Sequence, residues 1–371
     1  MRISKVAIVD PVGAKAGMNY YDLGLLSGLH NHGVDVYLFS NTDEVPSEIK
    51  NYHFFDSFLE SKWRKGIGQL IAHLRSFWIC KREKVDWVVV HVFSAQLIFF
   101  VFCLIARLFG LKLLTIAHDV DSLVKDDNKL LKKWLYKYVA NYIIIHNQYS
   151  LQKIKEIVGD KNHYSVVQQG GYPELVDKKV TREQAKNQLG FNSSSTHLLF
   201  FGQIKTAKRL DVLIKAMKYV KEDVKLVVAG RTWKDDFSKY DRLILELELE
   251  ERIEKYIRFV TDEERDFLMK ACDVMVLPYE EVYQSAALLM AMSYGLAVIT
   301  SDVDSFKEVI RHGENGLMFK SLDEEDLSDK INSLINDSEI LSQLQQGALK
   351  SIATEFSWSN IALQYKKTLN L

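Results

Sequence analysis

Short apolar runs alternate with amphipathic segments along the 371 residues of the chain. The first half contains the runs Lys5–Val9, Val34–Phe39 and Leu111–Ala117. The second half begins again with Leu198–Phe201 and Val224–Ala229 and continues with Ile257–Val260. Runs of this length fit buried strands, and the amphipathic segments that follow them fit helices. Because parallel strands need a crossover connection, usually a helix, the pattern predicts an α/β protein with a parallel sheet in each half.

Composition and cysteine spacing narrow the class of protein. Hydrophobic residues make up 47% and charged residues 26% of the chain, as in an ordinary soluble protein that is long enough for two cores. Cys80, Cys103 and Cys272 lack metal-ligand spacing, so we expect buried thiols in a reducing compartment. The first residues run directly into a strand and contain no signal-peptide core.

The most apolar stretch, residues 87–114, is interrupted by polar and charged residues. Its clean run Leu97–Ala106 has only about half of the roughly 20 apolar residues that a spanning helix needs. We therefore expect a strand, a buried helix and a second strand here, and no membrane span.

Charge is unevenly shared, because residues 1–180 are net positive and the remainder is net negative. This asymmetry indicates two domains that face different partners. Residues 58–84 combine tryptophans and aliphatic residues with lysines and arginines, and a lysine cluster at 125–137 surrounds Trp134. Such a helix fits the surface of an anionic bilayer, and it fits equally a core-packed helix with a solvated basic face. No basic stripe leads into a recognised nucleic-acid-binding module, so no nucleic-acid partner is expected.

The stretch Leu198–Met217 carries the clearest functional signal. An apolar strand ends at Gly202, a short loop contains Lys205 and Lys208, and an amphipathic helix follows. This order places positive charge at the carboxyl end of a parallel sheet, where ligands bind in doubly wound folds. An anion held by both lysines would also meet free N–H groups at the start of the helix. For Lys205 taken alone, we would accept a solvated surface turn as the explanation.

A glycine-containing loop follows the first strand. Gly13 and Gly17 can adopt backbone angles closed to other residues, and Asn19 is expected to cap the next helix. Taken alone, such a glycine pair is more commonly just a tight strand-to-helix connection.

A histidine and a carboxylate follow the strand Leu111–Ala117. His118 could donate to a sugar hydroxyl or a phosphate oxygen, or it could be satisfied inside the core. Asp119 and Asp121 match a metal-binding carboxylate pair, but two aspartates at this spacing often occur by chance. No metal site is predicted. Residues 173–196, with Pro173, a charged run and three serines, are the best candidate linker.

Six blocks of the chain resemble the nucleotide-sugar-dependent retaining glycosyltransferases of the GT-B fold, the large group that includes sucrose synthase and bacterial mannosyltransferases. The blocks are GAKAGMNYYDLGLLSGLHNHGVDV, TIAHD, FGQIKTAKRLDVLIKA, KYIRFVTDEERDFLMKACDVMVLPY, AMSYGLAVITSDVDSFKEVIRHGENGLMF and FSWSNIALQY. The resemblance implies two Rossmann-like domains whose parallel sheets face each other across a cleft. Residues 1–175, completed by a C-terminal helix at 356–371, would form the acceptor-side domain, and residues 190–355 the nucleotide-sugar-binding domain.

The resemblance also implies roles for individual residues. Lys208 matches the lysine on the donor diphosphate, and Lys205 stands in for the accompanying arginine, whose usual position holds Gln203. His118 matches the histidine near the donor sugar, and these two lysines and His118 are the predicted catalytic residues. The predicted donor-binding residues are Gly17, Val260, Gln284, Ser285 and Ala286. The predicted acceptor-side residues are Asn19, Tyr20 and Asp119.

Some positions depart from the family pattern. The family usually has two glutamates, one near the transferred sugar and one on the ribose hydroxyls, and their positions here hold Val282 and Met290. Glu280 and Glu281 are close but out of register. A lost hydrogen bond to a charged group is worth roughly 1.5–3 kcal/mol, so we expect weakened or rearranged ribose binding. Gln284–Ser285–Ala286 resembles a Gln-Ser-Gly variant of the family's turn, in which helix N–H groups still face the diphosphate.

The implied activity is metal-independent transfer of a hexose, with retention, from a UDP- or GDP-linked sugar to a glycan or lipid-linked acceptor. The nucleotide sugar is a substrate, so no cofactor is expected. The implied setting is bacterial surface polysaccharide synthesis in the cytoplasm, with peripheral contact at the inner face of an anionic membrane. The alternative is a non-catalytic relative that binds a nucleotide sugar, a glycan or a partner subunit. A sugar epimerase of the same fold is less well supported, because its acid and base residues are not recognisable.

Overall fold

The computed structural model describes residues 3–13, 17–55, 62–118, 120, 128–159, 163–192, 194–233 and 236–371, without the side chains of residues 62–65. The chain divides into two compact units, residues 1–170 with 355–371, and residues 171–354. None of the helices in these described ranges has the length and the hydropathy needed to cross a membrane.

The first unit is built on a seven-stranded sheet in which every neighbouring pair of strands is parallel. The strand order is β3-β2-β1-β4-β5-β6-β7. The elements are β1 Lys5–Val9, α1 Asn19–Asn31, β2 Asp35–Ser40, β3 Lys50–His53, α2 Lys62–Arg82, β4 Trp87–Val92, α3 Leu97–Leu108, β5 Leu113–Ala117, α4 Lys129–Trp134 with a π-helical turn Leu135–Val139, β6 Tyr142–Ile145, α5 Gln148–Val158, β7 Tyr164–Val166 and α14 Trp358–Leu369.

The second unit is built on a six-stranded parallel sheet with the order β10-β9-β8-β11-β12-β13. The elements are α6 Arg182–Leu189, β8 Thr196–Phe201, α7 Leu210–Ala216, β9 Val224–Ala229, α8 Ser238–Glu246, β10 Ile253–Tyr256, α9 Asp262–Ala271, β11 Val274–Leu277, α10 Ala286–Ser293, β12 Ala297–Ser301, α11 Asp304–Lys307, β13 Leu317–Phe319, α12 Glu324–Ile335 and α13 Ser338–Ala353. The predicted α/β class with a parallel sheet in each half is confirmed.

The strand order reverses once in each sheet, between β1 and β4 in the first unit and between β8 and β11 in the second. In open parallel sheets of this order, ligands bind beyond the carboxyl ends of the strands at the reversal, because the loops on its two sides leave a crevice there. The fold therefore predicts ligand-binding sites at the loops after β1, β4, β8 and β11. Most residues of the central strands are completely buried, which explains their near-continuous apolar sequences.

The C-terminal helix α14 packs against α1 in the first unit. A Cβ atom added at Gly24 would lie 2.2 Å from the Trp358 ring, and one at Gly28 would lie 2.5 Å from the Trp358 carbonyl oxygen. The Trp358 ring meets the edge of the Tyr21 ring with 5.0 Å between centroids. The Tyr21 hydroxyl also lies 2.9 Å from that of Tyr365. The two glycines on α1 thus allow α14 to approach closely.

Two helices expose more apolar surface than the sequence predicts. Helix α3, expected to be buried, exposes one face and buries another that contains Phe100, Phe102, Cys103 and Ala106. Helix α2 buries a stripe that includes His73, whose ring stacks on that of Phe102 at 3.8 Å. The apolar side chains of α2 that the core-packed alternative would bury are exposed instead, so that alternative is wrong for them. The exposed residues are Ile67, Leu70, Ile71, Leu74 and Trp78 on α2, and Leu97, Ile98, Val101, Leu104 and Leu108 on α3.

Three local predictions are also wrong. Asn19 does not cap α1, because Met18 occupies the cap position without a side-chain hydrogen bond and Asn19 is the first helical residue. The strand expected at 257–260 lies instead at Ile253–Tyr256. The candidate linker 173–196 contains helix α6, which begins with a capping box at Thr181 and packs against α9.

Candidate functional site

The loop after β8 carries both predicted phosphate-binding lysines. Lys208 ends a short 3-10 turn, Thr206–Lys208, and its Nζ lies 4.9 Å from the centre of the Tyr279 ring. Tyr279 belongs to the loop after β11, so the loops on both sides of the strand reversal meet at Lys208. The Nζ of Lys205 lies 5.3 Å from the centre of the Trp233 ring, on the loop after β9. Each ammonium group thus lies over an aromatic face, which favours a cation.

Burial desolvates the Lys208 ammonium group and lowers its pKa to about 8. In the part of the chain that the structure describes, no carboxylate forms an ion pair with it. The adjacent Arg209 differs, because it pairs with Asp211 at 2.8 Å and with Glu280 at 2.9 Å. A desolvated cation without a counter-charge is unfavourable, and an anionic ligand at this position would offset that cost.

The loop after β11 leads into helix α10. The Ser285 side chain caps this helix by accepting a hydrogen bond from the Leu288 N–H at 3.2 Å, and Ala286 is its first residue. The first turn leaves N–H groups without helical partners and carries the positive end of the helix dipole. The Oε1 atom of Gln284 is buried and has no hydrogen-bond partner among the described residues. All three predicted donor-binding residues on this loop therefore lie at a helix start that can accept an anion.

Apolar side chains occupy the two positions at which the family pattern has glutamates. Val282 and Met290 are half-buried, and the Val282 carbonyl accepts a hydrogen bond from Ser305 Oγ at 2.6 Å. Glu280 is held by Arg209, so its carboxylate already has a cationic partner. In this structure Glu280 is therefore part of a local ion pair with Arg209.

Val260 lies in the loop between β10 and α9 and lines a cavity of about 360 Å³. The other lining residues come from α6, from the end of β10, from the same loop and from α9; they include Leu189, Tyr256, Arg258 and Phe267. All of them belong to the second unit.

In the first unit, the loop after β1 is held by a buried aspartate. The Asp10 carboxylate accepts hydrogen bonds from the N–H groups of Val12 and Gly13, both at 2.9 Å. Gly17 is exposed and has φ +71°, a conformation that strains other residues. Asn19 and Tyr20 begin α1 and are half-buried, and Oδ1 of Asn19 is buried without a partner among the described residues. Asp119 lies outside the described residues.

His118 is the first residue after β5, and it belongs to a hydrogen-bonded group of side chains. Its Nε2 lies 2.9 Å from Nδ1 of His91, and Nε2 of His91 lies 2.7 Å from Oδ1 of Asp22. The His118 ring stacks on Phe93 with centroids 4.5 Å apart. The structure therefore places His118 at the end of a polar chain rather than alone in the core.

Burial is the largest single influence on the pKa of each member of this group. It raises the pKa of the Asp22 carboxyl to about 7, against the opposing effect of His91. The pKa of His91 is raised because the attraction and hydrogen bond of Asp22 outweigh desolvation. The pKa values of His118 and His146 are lowered, mainly by burial.

Asp10, Asp22 and His91 are the residues to consider for a metal ion, since one side-chain atom from each lies within 4.8 Å of the others. Both oxygens of Asp10, both ring nitrogens of His91 and Oδ1 of Asp22 already take part in protein hydrogen bonds, while Oδ2 of Asp22 is buried without a partner among the described residues. Asp10 holds the loop after β1, and Asp22 and His91 bind each other. These contacts account for most of the cluster without an ion.

Sequence reasoning missed Asp10, Asp22, His91 and Tyr279. For two of them, Asp22 and His91, the sequence contained a feature that could have revealed their role. Asp22 is a carboxylate on the inward face of α1, next to Tyr21 and in line with Leu25, and His91 interrupts the apolar strand β4. A charged or titratable residue in an otherwise apolar stripe usually has a buried partner.

Part of the chain matches a known family. Residues 181–351 match the family model described as glycosyl transferases group 1. An uncharacterized glycosyltransferase of Methanocaldococcus jannaschii is 25% identical over 260 residues, which cover 67% of this chain but 65% of that protein, slightly less than two thirds. A second uncharacterized glycosyltransferase of that organism is 24% identical over 348 residues, 88% of this chain and 92% of that protein.

Solved structures extend the similarity to the whole chain. Sucrose-phosphate synthase from Thermosynechococcus elongatus has a TM-score of 0.76 at 16% identity, covering 99% of this chain and 98% of that one. HepE of Anabaena in complex with UDP-glucose has a TM-score of 0.73 at 18% identity, with 99% of each chain covered. At these identities the likeness concerns the fold, and it confirms the predicted GT-B class.

Proposed function

We propose that this protein is a glycosyltransferase that moves a hexose, with retention, from a UDP- or GDP-linked donor to a glycan or lipid-linked acceptor. The match to group 1 glycosyl transferases and the GT-B fold support the transferase class. HepE, whose structure contains UDP-glucose, makes a nucleotide sugar a reasonable first donor to test. The proposed setting is surface polysaccharide synthesis in the cytoplasm.

One observation carries the proposal: the desolvated Lys208 ammonium group lies at the strand reversal of the second sheet without a carboxylate partner in the described ranges. A diphosphate is a ligand that suits this cation. The helix start at Ser285 and Ala286 lies on the neighbouring loop and adds N–H donors, whose partial positive charge would also favour a diphosphate. In our proposal the second unit therefore binds the donor diphosphate.

The proposed chemistry is mainly electrostatic. As the bond between the sugar and the diphosphate breaks, negative charge develops on the leaving diphosphate oxygen. Lys208, Lys205 and the first-turn N–H groups of α10 would stabilise that charge in positions fixed before the reaction. The leaving diphosphate oxygen would take the proton of the acceptor hydroxyl, so that no protein nucleophile and no metal ion are required. His118 would contact the transferred sugar.

The acceptor is proposed to reach the enzyme at a membrane surface. Helix α3 contacts α2 and α4, and all three carry exposed apolar side chains. On α4 and the turn after it these are Leu130, Trp134 and Tyr138. Exposed basic residues accompany them: Arg75, Lys81 and Arg82 on α2, and Lys129 and Lys133 on α4. Apolar and cationic side chains on the same helices favour an anionic bilayer surface, and we propose peripheral contact at the inner face of the cell membrane.

The experiment is to measure binding of UDP and GDP by calorimetry, followed by donor turnover with UDP-glucose and a panel of other UDP- and GDP-sugars. We expect one nucleotide to bind, and Lys208→Ala to weaken binding by at least about tenfold, because a charge-assisted contact is lost. Lys218→Ala, which removes an exposed lysine after α7, is the matched control.

Wild-type turnover in the Lys208→Ala variant would refute the mechanism. The apolar residues Val282 and Met290 favour the second candidate, a non-catalytic protein that binds a nucleotide sugar. Nucleotide binding without hydrolysis or transfer, even with acceptor extracts, would support that alternative instead.

A further inference from the structure

Three side chains from three elements of the first unit form a continuous hydrogen-bonded chain. Asp22 of α1 contacts His91 of β4 at 2.7 Å, and His91 contacts His118, after β5, at 2.9 Å. The side chains of Asp22 and His91 are 0% and 3% exposed, so water does not compete for these bonds. Within the described part of the chain, Nδ1 of the partly exposed His118 takes part in no hydrogen bond.

Each of these two hydrogen bonds needs one proton, which restricts where the protons can lie. If Asp22 is ionised and His91 is neutral, His91 must carry its proton on Nε2, facing the carboxylate. Its Nδ1 is then an acceptor, so His118 must donate from Nε2 and its free Nδ1 has only a lone pair.

One additional proton on Oδ1 of Asp22 or on His91 reverses the arrangement. A protonated Asp22 donates to Nε2 of His91, which then carries its own proton on Nδ1. A doubly protonated His91 also carries a proton on Nδ1. In both cases His91 donates to Nε2 of His118, and the neutral His118 must hold its proton on Nδ1.

We propose that the Asp22–His91 pair is a positioning device that sets the tautomer of His118. When the pair holds one proton, Nδ1 of His118 is a hydrogen-bond acceptor, and when it holds two, Nδ1 is a donor. The extra proton has the same effect on His118 whether it lies on His91 or on Oδ1 of Asp22, the carboxylate oxygen that faces His91.

The groups around the Asp22–His91 pair favour a change of the His118 tautomer within an accessible pH range. The pKa of Asp22 is raised to about 7 by burial, and Asp10, from the loop after β1, adds a repulsive charge that also raises it. Burial and the nearby His91 and His146 lower the pKa of His118, so His118 stays neutral while the pair titrates. His146, after β6, donates from Nδ1 to the Val167 carbonyl at 2.8 Å. Tyr21 presents its ring to His91 and His118, and its hydroxyl is engaged by Tyr365 of α14.

A functional consequence rests on the proposed function. If His118 donates to a sugar hydroxyl or a phosphate oxygen, only the tautomer with Nδ1–H is competent. Activity should then fall as the pH rises through the titration of the pair, near pH 7.

Nuclear magnetic resonance of the full-length protein labelled with ¹⁵N-histidine tests the tautomer without any substrate. Spectra of His118→Gln and His91→Gln assign the two rings, and a ring nitrogen without a proton resonates far from one that carries it. We expect the proton of His118 to move from Nδ1 to Nε2 between about pH 5.5 and pH 9. A single His118 tautomer over this range in the wild type, or its conversion to imidazolium with an ordinary histidine pKa, would overturn the proposal.

Asp22→Asn removes the carboxylate that raises the pKa of His91, so we expect a single His118 tautomer over the whole range from about pH 5.5 to pH 9. Asp43→Asn makes the same chemical change at a side chain that is 86% exposed, and it should retain the wild-type exchange. Exchange that persists unchanged in Asp22→Asn would refute the role of the pair.

The pH dependence of kcat/KM for UDP-glucose tests the functional consequence. We expect a decrease above about pH 7 in the wild type and a flat profile in Asp22→Asn over the same range. Exchange in the spectra with no matching pH profile would overturn the link to sugar binding. If UDP-glucose is not turned over at all, the proposed function fails for this donor, while the spectra still decide whether the pair sets the tautomer.

Discussion

Lys208 and Arg209 are adjacent in sequence, but among the described residues only Arg209 meets carboxylates of the protein. Arg209 therefore contributes to local structure, holding Glu280 against the loop after β8. Lys208 is left with a desolvated positive charge and a pKa lowered to about 8. At the scale of single residues, this difference is what separates a structural cation from one that is available to a ligand.

The lowered pKa of Lys208 predicts a pH dependence of nucleotide binding. Its folded pKa is below the ordinary value of 10.5, so the charge is complete well below pH 8 and is lost as the pH rises through 8. If UDP binds only the charged form, its Kd should be about tenfold weaker at pH 9 than at pH 7. Calorimetric titration at several pH values measures this change. Lys208→Ala should bind weakly with a flat profile, and an equally steep profile in that variant would assign the effect to another group.

The cluster of Asp10, Asp22 and His91 makes metal independence a prediction worth testing. Because these side chains already hydrogen-bond within the protein, we expect dialysis against EDTA to leave donor turnover unchanged. Turnover assays before dialysis, after dialysis and after addition of Mn²⁺ or Mg²⁺ provide the measurement. Activity that is lost on dialysis and restored by an ion would contradict the metal-independent mechanism.

Between elements, the contact of α14 with α1 determines how the His118 region is supported. Trp358 of α14 packs on Tyr21 of α1, and the Tyr21 ring in turn contacts the rings of His91 and His118. Gly24 provides the space for the Trp358 ring. A substitution at a glycine far from any ligand should therefore act on the stability of the first unit.

We predict that Gly24→Ala lowers the free energy of unfolding by roughly 1–3 kcal/mol, because the new methyl group would overlap the Trp358 ring. Gly66→Ala on α2 is the matched control. A Cβ there meets nothing within 4 Å, and alanine favours a helix by roughly 0.5–1 kcal/mol, so this variant should be slightly more stable. Urea denaturation monitored by circular dichroism compares the two. Equal effects of both substitutions would show that α14 does not limit the space at Gly24.

At the scale of the whole molecule, apolar exposure is concentrated on one set of helices. Side chains of α2, α3 and α4 remain exposed in the first unit, including Leu108 at 85% and Leu97 at 66%. Exposed patches of apolar residues in a folded protein usually mark an interaction surface. The first half of the chain, up to residue 180, is also the net positive half.

The membrane proposal predicts binding to vesicles that contain anionic lipid. Burial of one leucine side chain is worth roughly 1.5–3 kcal/mol, so Leu108→Glu should weaken binding by about tenfold or more. Leu363→Glu, at an exposed leucine on α14, is the control for the same substitution elsewhere in this unit. Co-sedimentation with vesicles at low and high salt gives the affinity, and binding should weaken with salt. Equal affinities of the two variants would exclude α3 as the contact surface.

The sequence pattern was sufficient to predict both parallel sheets, because runs such as 198–201 and 224–229 are buried on both faces and read as continuous apolar segments. It failed for α3, where an almost entirely apolar helix was expected in the core and instead exposes one face. Hydropathy indicates that a side chain prefers an apolar environment, but it does not show whether the protein core or an apolar partner outside the chain provides that environment.

Some residues of the candidate site could likewise be predicted from the sequence, and others could not. The two lysines and the helix start at Ser285 were predictable, because strand, loop and helix are consecutive in sequence there. The chain from Asp22 through His91 to His118 was not, since its members lie 69 and 27 residues apart and meet only through the order of the strands.

The placement of residues 355–371 in the first unit bears on the order of biosynthesis. A ribosome makes residues 1–170 first, but the tryptophan that fills the space at Gly24 is made only after the entire second unit. During translation the nascent amino-terminal half would therefore expose apolar surface beside α1, while residues 171–354 could already reach their native contacts. We expect a chain truncated before Trp358 to require chaperones and to be sensitive to proteases, with the cleavages confined to its first half.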